Sequence, residues 1–478
     1  MKRVTSWYVR IVLTVLIAVL LFVVIGCSFV AYDDISSPDY IEQIVNPDRS
    51  LFYGETITIA AYDTWIILPF INAYMLANPG VNIQVTQHLE LDQSFRDTTD
   101  WGQVRMEIGT QLMAGSGPTL IYGYLADPLD PRQAVFYYDW YQLMDADPNF
   151  KEEDWFMNVF HAFAIGDQLF HFPISVTYSP VVANRSIPGL LEAMTEYADG
   201  ITLSELMQLN SYFSERHPQH YLEMHFSSAW IMQLMSEQFV DVEAGRVDFG
   251  DVFIDLIIYA DSITCHNFNS EGWTPGWNGV FSSSTEQMIS ERYLFHLDTN
   301  FWFWYWLDYY EEIQLFAGMT PLTNVSRELL IAPRDNFLLN ANATPIEKAI
   351  AWDFMMFVMQ PENFTTQLSH SWHLQPPNRN LFEYLIRRFL FYSWDHPRFG
   401  DRVFPWFPGT HYEAAEVVFA RMTPFAEMPM RTTSNRPRIV DEIIEDNLYL
   451  FYAGLLSAEQ TAQNLQNQIT LVLMEMER

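Results

Sequence analysis

The sequence contains little of what several common protein classes require. Its 478 residues include two cysteines, which excludes a fold held together by many disulfides. Lysine occurs only three times, and arginine supplies the remaining positive charge against 59 carboxylates. The formal net charge of −34 would repel a phosphate backbone, so nucleic-acid binding is excluded.

Motifs of common enzymes and metal sites are also missing. The sequence has no G-x-S-x-G, no P-loop and no G-x-G-x-x-G. His217, His220 and His225 lie close together, but Pro218 interrupts them and no H-E-x-x-H spacing is present. A segment beginning at Asp145 starts like a calcium loop but lacks the glycine at position six and the glutamate at position twelve. We therefore expect no catalytic residues, no metal and no cofactor.

The N-terminal segment has the three parts of a secretory signal peptide. A positively charged start precedes the apolar run 11–25, and the small residue Gly26 then precedes Cys27. The apolar run is shorter than the roughly 20 residues of a membrane-spanning helix. Val24-Ile25-Gly26-Cys27 resembles a bacterial lipobox. The resemblance implies that residues 1–26 are removed, that Cys27 carries palmitate and other acyl chains, and that the protein is anchored outside the cytoplasmic membrane. An uncleaved N-terminal anchor is the alternative.

The residues after the signal peptide are too numerous for one core, so two lobes are expected. Residues 27–50 show no periodicity and are interpreted as a tether. From Thr56 to Tyr122 the sequence alternates strand and helix patterns: strand, helix, strand, helix, strand. Such alternation predicts an α/β lobe with parallel strands joined by crossovers.

Several segments carry recognisable motifs: Asn-Pro-Gly-Val at 78–81, Leu-Met-Ala-Gly-Ser-Gly-Pro at 112–118, and the segments 163–184, 344–360 and 457–474. Together they resemble family 1 of the extracellular solute-binding proteins, the maltose-binding-protein-like receptors of ABC importers. In the last two segments, Thr344 with Glu347 and Ser457 with Gln460 are predicted capping boxes. An aromatic, proline-rich insertion at about 375–440 departs from the family pattern.

The resemblance implies a two-lobe α/β fold with a hinge and a cleft between the lobes. Carried over to this sequence, lobe one comprises residues 51–172 plus 320–370. Lobe two comprises residues 173–319 plus 371–478. The resemblance further implies a monomeric, non-enzymatic receptor that closes around a solute and delivers it to the permease subunits of an ABC importer.

Candidate ligand-binding residues follow from the rule that open parallel sheets bind ligands beyond the carboxyl ends of their strands. Asp63 and Trp65 follow the first predicted strand, and Tyr122 and Tyr124 end the third. A carboxylate can hydrogen-bond the hydroxyls of a sugar, and an aromatic ring can cover its C–H faces. Alternatively, Trp65 packs on the next helix and Asp63 caps it.

Three further aromatic residues are candidates from the second lobe. Tyr178 follows the predicted crossover between lobes, where the family often places an aromatic residue. Trp302 and Trp304 belong to the most aromatic run of the sequence and would share one face of an extended segment. Packing in a hydrophobic core is the alternative interpretation for all three.

The solute is expected to be a carbohydrate, and other classes stay open. A receptor of the same fold could bind a polyamine-like cation through carboxylates and aromatic rings. A surface enzyme acting on carbohydrates, or a scaffold with a degenerate cleft, is also compatible with the sequence.

Overall fold

The computed structural model describes most of the chain after the predicted tether. The described residues are 38–91, 98–123, 125–127, 131–178, 180–184, 187–218, 221–224, 239–242, 245–264, 293–297, 319–363, 375–392, 411–432 and 436–476. The signal peptide, Cys27, Tyr124, Trp302 and Trp304 lie outside these residues.

The elements of secondary structure alternate along most of the described chain. The strands are β1 (Thr56–Ala61), β2 (Asn82–Gln87), β3 (Leu120–Tyr122), β4 (Phe172–Tyr178), β5 (Pro180–Ala183), β6 (Ile201–Thr202), β7 (Tyr221–Met224), β8 (Val240–Asp241), β9 (Arg246–Val247), β10 (Tyr293–Leu297), β11 (Met319–Thr323), β12 (Leu329–Leu339) and β13 (Met430–Thr432). The helices are α1 (Pro38–Val45), α2 (Ile67–Ala77), α3 (Trp101–Met113), α4 (Pro131–Ala134), α5 (Trp140–Ala146), α6 (Met157–Phe163), α7 (Leu190–Met194), α8 (Leu203–Arg216), α9 (Asp251–Thr264), α10 (Pro345–Val358), α11 (Arg379–Tyr392), α12 (His411–Glu427), α13 (Arg438–Tyr452) and α14 (Ala458–Met476).

The first strands form the predicted parallel unit. β1 pairs in parallel with both β2 and β3, which gives the strand order β2-β1-β3-β12. The Asp100 carboxylate accepts the N–H of Gln103 at 3.0 Å and so caps α3, as its position before an apolar helical face predicts. The expected strand–helix–strand–helix–strand order is confirmed.

This sheet is covered on both faces because alternate side chains of each strand point in opposite directions. Ile57 and Ile59 of β1 pack with α2, α6 and α10 in one cluster of buried residues. Ala60 and Ile121 lie on the opposite face and pack with Ile108 of α3. These two clusters form the core of the first lobe.

A separate cluster of buried residues forms the core of the second lobe. It brings together β5, β10, α8, α9, α13 and α14. The chain passes between the cores at three places, which are β4 to β5, β11 to β12, and β13 to α13. Strand β12 also joins the two parts of the sheet, because it pairs with β3 at one end and with β11 at the other.

The distribution of the chain between the cores differs from the expected ranges. The second lobe was expected to begin at 173 and again at 371. The whole of β4 lies in the first core, as do Leu381, Ile386 and Met422 from the proline-rich insertion. The packing changes lobe only between Met430 and Val440. The inserted helices α11 and α12 therefore extend the first lobe, because their apolar faces complete its core.

The end of the expected tether is folded. Residues 38–45 form α1, and Ile44 and Val45 are buried against the first core. Tyr40 accepts a hydrogen bond from the Lys348 ammonium at 2.8 Å, which ties α1 to α10. A helix of only 8 residues spans about two turns, so it carries little helical periodicity in its sequence.

Within the described residues, no helix has both the length and the apolar character that crossing a membrane demands.

A candidate binding cleft between the two lobes

Two aromatic residues follow β1: Trp65 is exposed to solvent, and Tyr62 packs on helix α3. Trp65 is half exposed, at 50%. The Tyr62 ring stacks on Trp101 of α3 with centroids 4.7 Å apart and an interplanar angle of 15°. The residue before α2 is Ile66, which has no polar side chain and makes no cap hydrogen bond. The alternative role of Asp63 as a cap of this turn stays open. The exposed part of the Trp65 ring is available for contact with a solute.

Tyr122, at the end of β3, lies in the first core and not on an open surface. It is buried, and its hydroxyl donates to the carboxylate of Asp335 on β12. The second oxygen of Asp335 accepts the hydroxyl of Ser175 at 2.7 Å. This buried network fixes β3, β12 and β4 relative to one another. A direct contact between Tyr122 and a solute stays a prediction.

Tyr178 ends β4 at the first passage between lobes and is also buried. Its ring stacks against Phe425 of α12 with centroids 6.0 Å apart, and its hydroxyl lies 3.5 Å from the sulfur of Met422. Burial raises the pKa of Tyr178, so the hydroxyl keeps its proton at neutral pH. A contact between Tyr178 and a solute stays a prediction.

A second, part-buried polar pair lies beside this network. The Nδ1 atom of His171 is 3.1 Å from the side-chain oxygen of Asn336, the residue after Asp335. Burial lowers the pKa of His171 to about 4, so the imidazole is neutral at physiological pH. His171 therefore contributes hydrogen bonding to the strand junction without adding charge.

Charged residues of the two lobes meet at the start of α13. Asp127 follows β3, and its Oδ2 atom accepts the backbone N–H of Arg438 at 2.8 Å. Arg105 of α3 lies 3.5 Å from the carboxylate of Glu442. The sequence reasoning did not find these residues, since their partners are more than 300 positions away and no local motif marks them.

The predicted site residues are thus only partly brought together. The backbone N–H of Tyr62 donates to the carbonyl of Tyr122 at 3.2 Å, so the loops after β1 and β3 are neighbours. Tyr178 lies at the passage between lobes, while Tyr124, Trp302 and Trp304 are outside the described residues. In the part of the chain that the structure describes, no group of three or more histidine, cysteine or carboxylate side chains is arranged to hold a metal ion.

Comparison with known proteins identifies the fold. The chain is similar to the sugar-binding protein MalE of Xanthomonas citri, with a TM-score of 0.55 and 12% sequence identity over 88% of this chain and 98% of that one. A cyclic α-maltosyl-1,6-maltose binding protein of Arthrobacter globiformis is similar with a TM-score of 0.51 and 12% identity, over 88% and 99% of the two chains. An extracellular solute-binding protein family 1 structure from Alicyclobacillus acidocaldarius gives a TM-score of 0.51 and 11% identity, over 88% and 99%.

The likeness extends over almost the whole length of these structures. No protein-family model matches the sequence, and neither does any curated protein. The predicted two-lobe α/β fold of the periplasmic binding proteins is confirmed, because the match covers 98% and 99% of two of these chains. At this level of identity the likeness establishes the fold alone.

Proposed function

We propose that the protein is a receptor that binds a carbohydrate between its two lobes and performs no chemistry on it. The observation that carries this proposal is the pair Asp63 and Trp65 at the carboxyl end of β1, where a sheet of this kind binds ligands. The half-exposed indole offers an apolar face, and the neighbouring carboxylate offers hydrogen-bond acceptors. Structural neighbours that bind sugars support the same class of solute.

Lobe closure is the proposed mechanism of capture. A solute shifts the lobes toward a closed state only if it binds that state more tightly, which requires contacts with both lobes. Lobe one would contribute Asp63 and Trp65. Lobe two would contribute contacts from Trp302 and Trp304, which remain predictions.

Transport would follow from the position of the receptor at the membrane. We propose that lipid on Cys27 holds the protein at the outer face of the cell membrane. The loaded receptor would then deliver its solute to the transmembrane subunits of an ABC importer, whose ATPase is a separate protein. Several acyl chains provide a stable anchor, because each buried methylene contributes about 0.8 kcal/mol.

The acidity of the second lobe favours one alternative, a receptor for a polyamine-like cation. Asp441, Glu442 and Glu445 lie on the same helix, α13. Asp441 and Glu442 are paired with Arg436 and Arg438, whereas burial together with the charge of Asp441 raises the pKa of Glu445. Such a cluster would be stabilised by a bound cation. Salt dependence separates the two classes, because a neutral sugar gains nothing from long-range charge attraction.

The test is a calorimetric titration of the protein with maltose, maltotriose and spermidine at low and high salt. Saturable binding of a saccharide with an affinity nearly independent of salt supports the proposal. Binding of spermidine that weakens steeply with salt would replace it by the cation receptor. Conversion of a saccharide into products would instead identify an enzyme.

A further inference from the structure

Four charged residues lie where the lobes meet, at the third passage of the chain. The carboxylate of Asp127 accepts the N–H of Arg438 at 2.8 Å. The Arg438 Nε atom donates to Oε1 of Glu442 at 3.0 Å, and Nη2 of Arg105 lies 3.5 Å from the same oxygen. We call Arg105, Asp127, Arg438 and Glu442 the interlobe latch.

The two sides of the interlobe latch belong to different hydrophobic cores. Arg105 is on α3, whose Ile108 is buried in the first lobe, and Asp127 comes two residues after the buried Leu125. Arg438 and Glu442 are on α13, whose Ile444 is buried in the second lobe. A hinge motion that separates the lobes therefore has to break these contacts.

The Asp127 contact is a helix cap supplied by the other lobe. α13 begins after Pro437, which makes no side-chain cap hydrogen bond. A carboxylate at a helix N-terminus satisfies a free N–H and interacts favourably with the helix dipole. A cap of this kind changes an equilibrium constant by about five-fold.

Arg105 provides the second contact between the lobes. Its side chain is 20% exposed, and burial together with the nearby charge of Arg438 lowers the pKa of the Arg105 guanidinium. Glu442 acts in the opposite direction, since its negative charge favours the protonated guanidinium. Separation of the lobes would remove both the attraction of Glu442 and the repulsion of Arg438, while Asp127 stays near Arg105 in the same lobe.

We propose that the interlobe latch holds the two lobes in the arrangement described above by contacts of the protein alone. All four residues belong to this chain, so the latch needs no solute to form. Its strength then sets the resting population of this arrangement, and through that population the apparent affinity for any solute bound between the lobes.

The test measures the distance between the lobes with spin labels. In the full chain in detergent, Cys27 and Cys265 are replaced by serine, and labels are attached at Met106 on α3 and Tyr449 on α13, which are 68% and 73% exposed. In the double variant Asp127→Ala with Glu442→Gln, the population at the original distance should fall about five-fold or more relative to the population at longer distances. An unchanged distance distribution in this double variant overturns the proposal.

A matched variant controls for the loss of an ion pair as such. Arg379 and Glu427 form a pair at 2.7 Å on α11 and α12, both packed on the first core. Glu427→Gln should leave the distance distribution unchanged. If it lengthens the distances as much as the latch variant does, the latch has no special role and the proposal fails.

Hydrogen exchange provides a second readout that does not depend on the labels. Exchange in the first turn of α13 should become about five-fold faster in Asp127→Ala, and less so in Asp127→Asn, which keeps an acceptor oxygen. Unchanged exchange in Asp127→Ala would refute the cap. Because neither measurement uses a solute, failure here leaves the proposed carbohydrate binding untouched.

Discussion

Helices α10 and α13 show two ways in which this chain starts a helix. α10 completes its own N-terminus, because Thr344 accepts the N–H of Glu347 and the Glu347 carboxylate accepts the N–H of Thr344. α13 has no such cap, and Asp127 of the other lobe accepts the N–H of Arg438 instead. The first helix is specified by four consecutive residues, and the second depends on how the lobes are placed.

This difference matches the positions of the two helices. α10 is buried within the first lobe, where Ile350 and Phe354 are fully covered. α13 stands at the boundary between lobes, directly after the third passage of the chain. A helix inside one lobe is stabilised by a local cap, whereas a helix at the boundary between lobes can be coupled to their placement through a distant cap.

The largest effect is expected from the core of the first lobe. Phe354→Ala on α10 removes a fully buried ring and should lower the free energy of unfolding by about 3–5 kcal/mol. Urea unfolding followed by tryptophan fluorescence measures the loss. Leu76→Ala is the control, since Leu76 is 83% exposed on α2 and should change stability by less than about 0.5 kcal/mol. Equal effects of the two substitutions would contradict the assigned core.

The sequence predicted those parts of the fold in which neighbouring residues carry the signal. The alternation of Ile57 and Ile59 indicates β1, and the Thr344 and Glu347 spacing indicates the start of α10; both are confirmed. The same holds for Ser457 and Gln460 before α14, which exchange hydrogen bonds as a capping box. These patterns are short-range, so one sequence is enough to read them.

The distribution of later segments between lobes could not be predicted in the same way. Leu381 and Met422 have apolar environments on helical segments, but nothing local tells which of two cores they complete. At the candidate site, the topology rule predicts that the loop after β1 lies at the ligand-binding edge of the sheet. It does not predict that Tyr122 is buried. That burial depends on Asp335, which is 213 residues away on β12. The interlobe latch could not be predicted either, because its partners in different lobes are more than 300 residues apart.

A pH effect is expected from Lys348 of α10, whose ammonium donates a long-range hydrogen bond to Tyr40. Lys348 is fully buried, and burial lowers its pKa to about 8 from the ordinary 10.5. Above pH 8 the unfolded chain keeps a proton that the folded chain releases, so stability rises with pH. We expect a gain of about 1.5 kcal/mol between pH 8 and pH 9.5. Lys348→Met should remove this gain, and a gain of equal size in the variant would refute its assignment to Lys348.

A change at the proposed site should affect binding and leave stability unaltered. Trp65→Ala should weaken the affinity for the bound saccharide about tenfold, because it removes the apolar face beside Asp63. Isothermal titration measures the affinity. Tyr53→Ala is the matched control, since Tyr53 is an exposed aromatic residue at the opposite end of β1. Full affinity in Trp65→Ala would remove this residue from the site.

The smallest expected effect is on stability, and it distinguishes a cap within one lobe from a cap that joins the two lobes. Thr344→Ala should lower the free energy of unfolding by about 1 kcal/mol, the usual loss for a helix cap. Because both partners of this cap lie in the first lobe, the distance between spin labels on α3 and α13 should stay the same. Asp127→Ala removes a cap of similar strength and should lengthen that distance. If Thr344→Ala also lengthens this distance, any loss of stability separates the lobes. The cap from Asp127 would then have no specific role in holding them together.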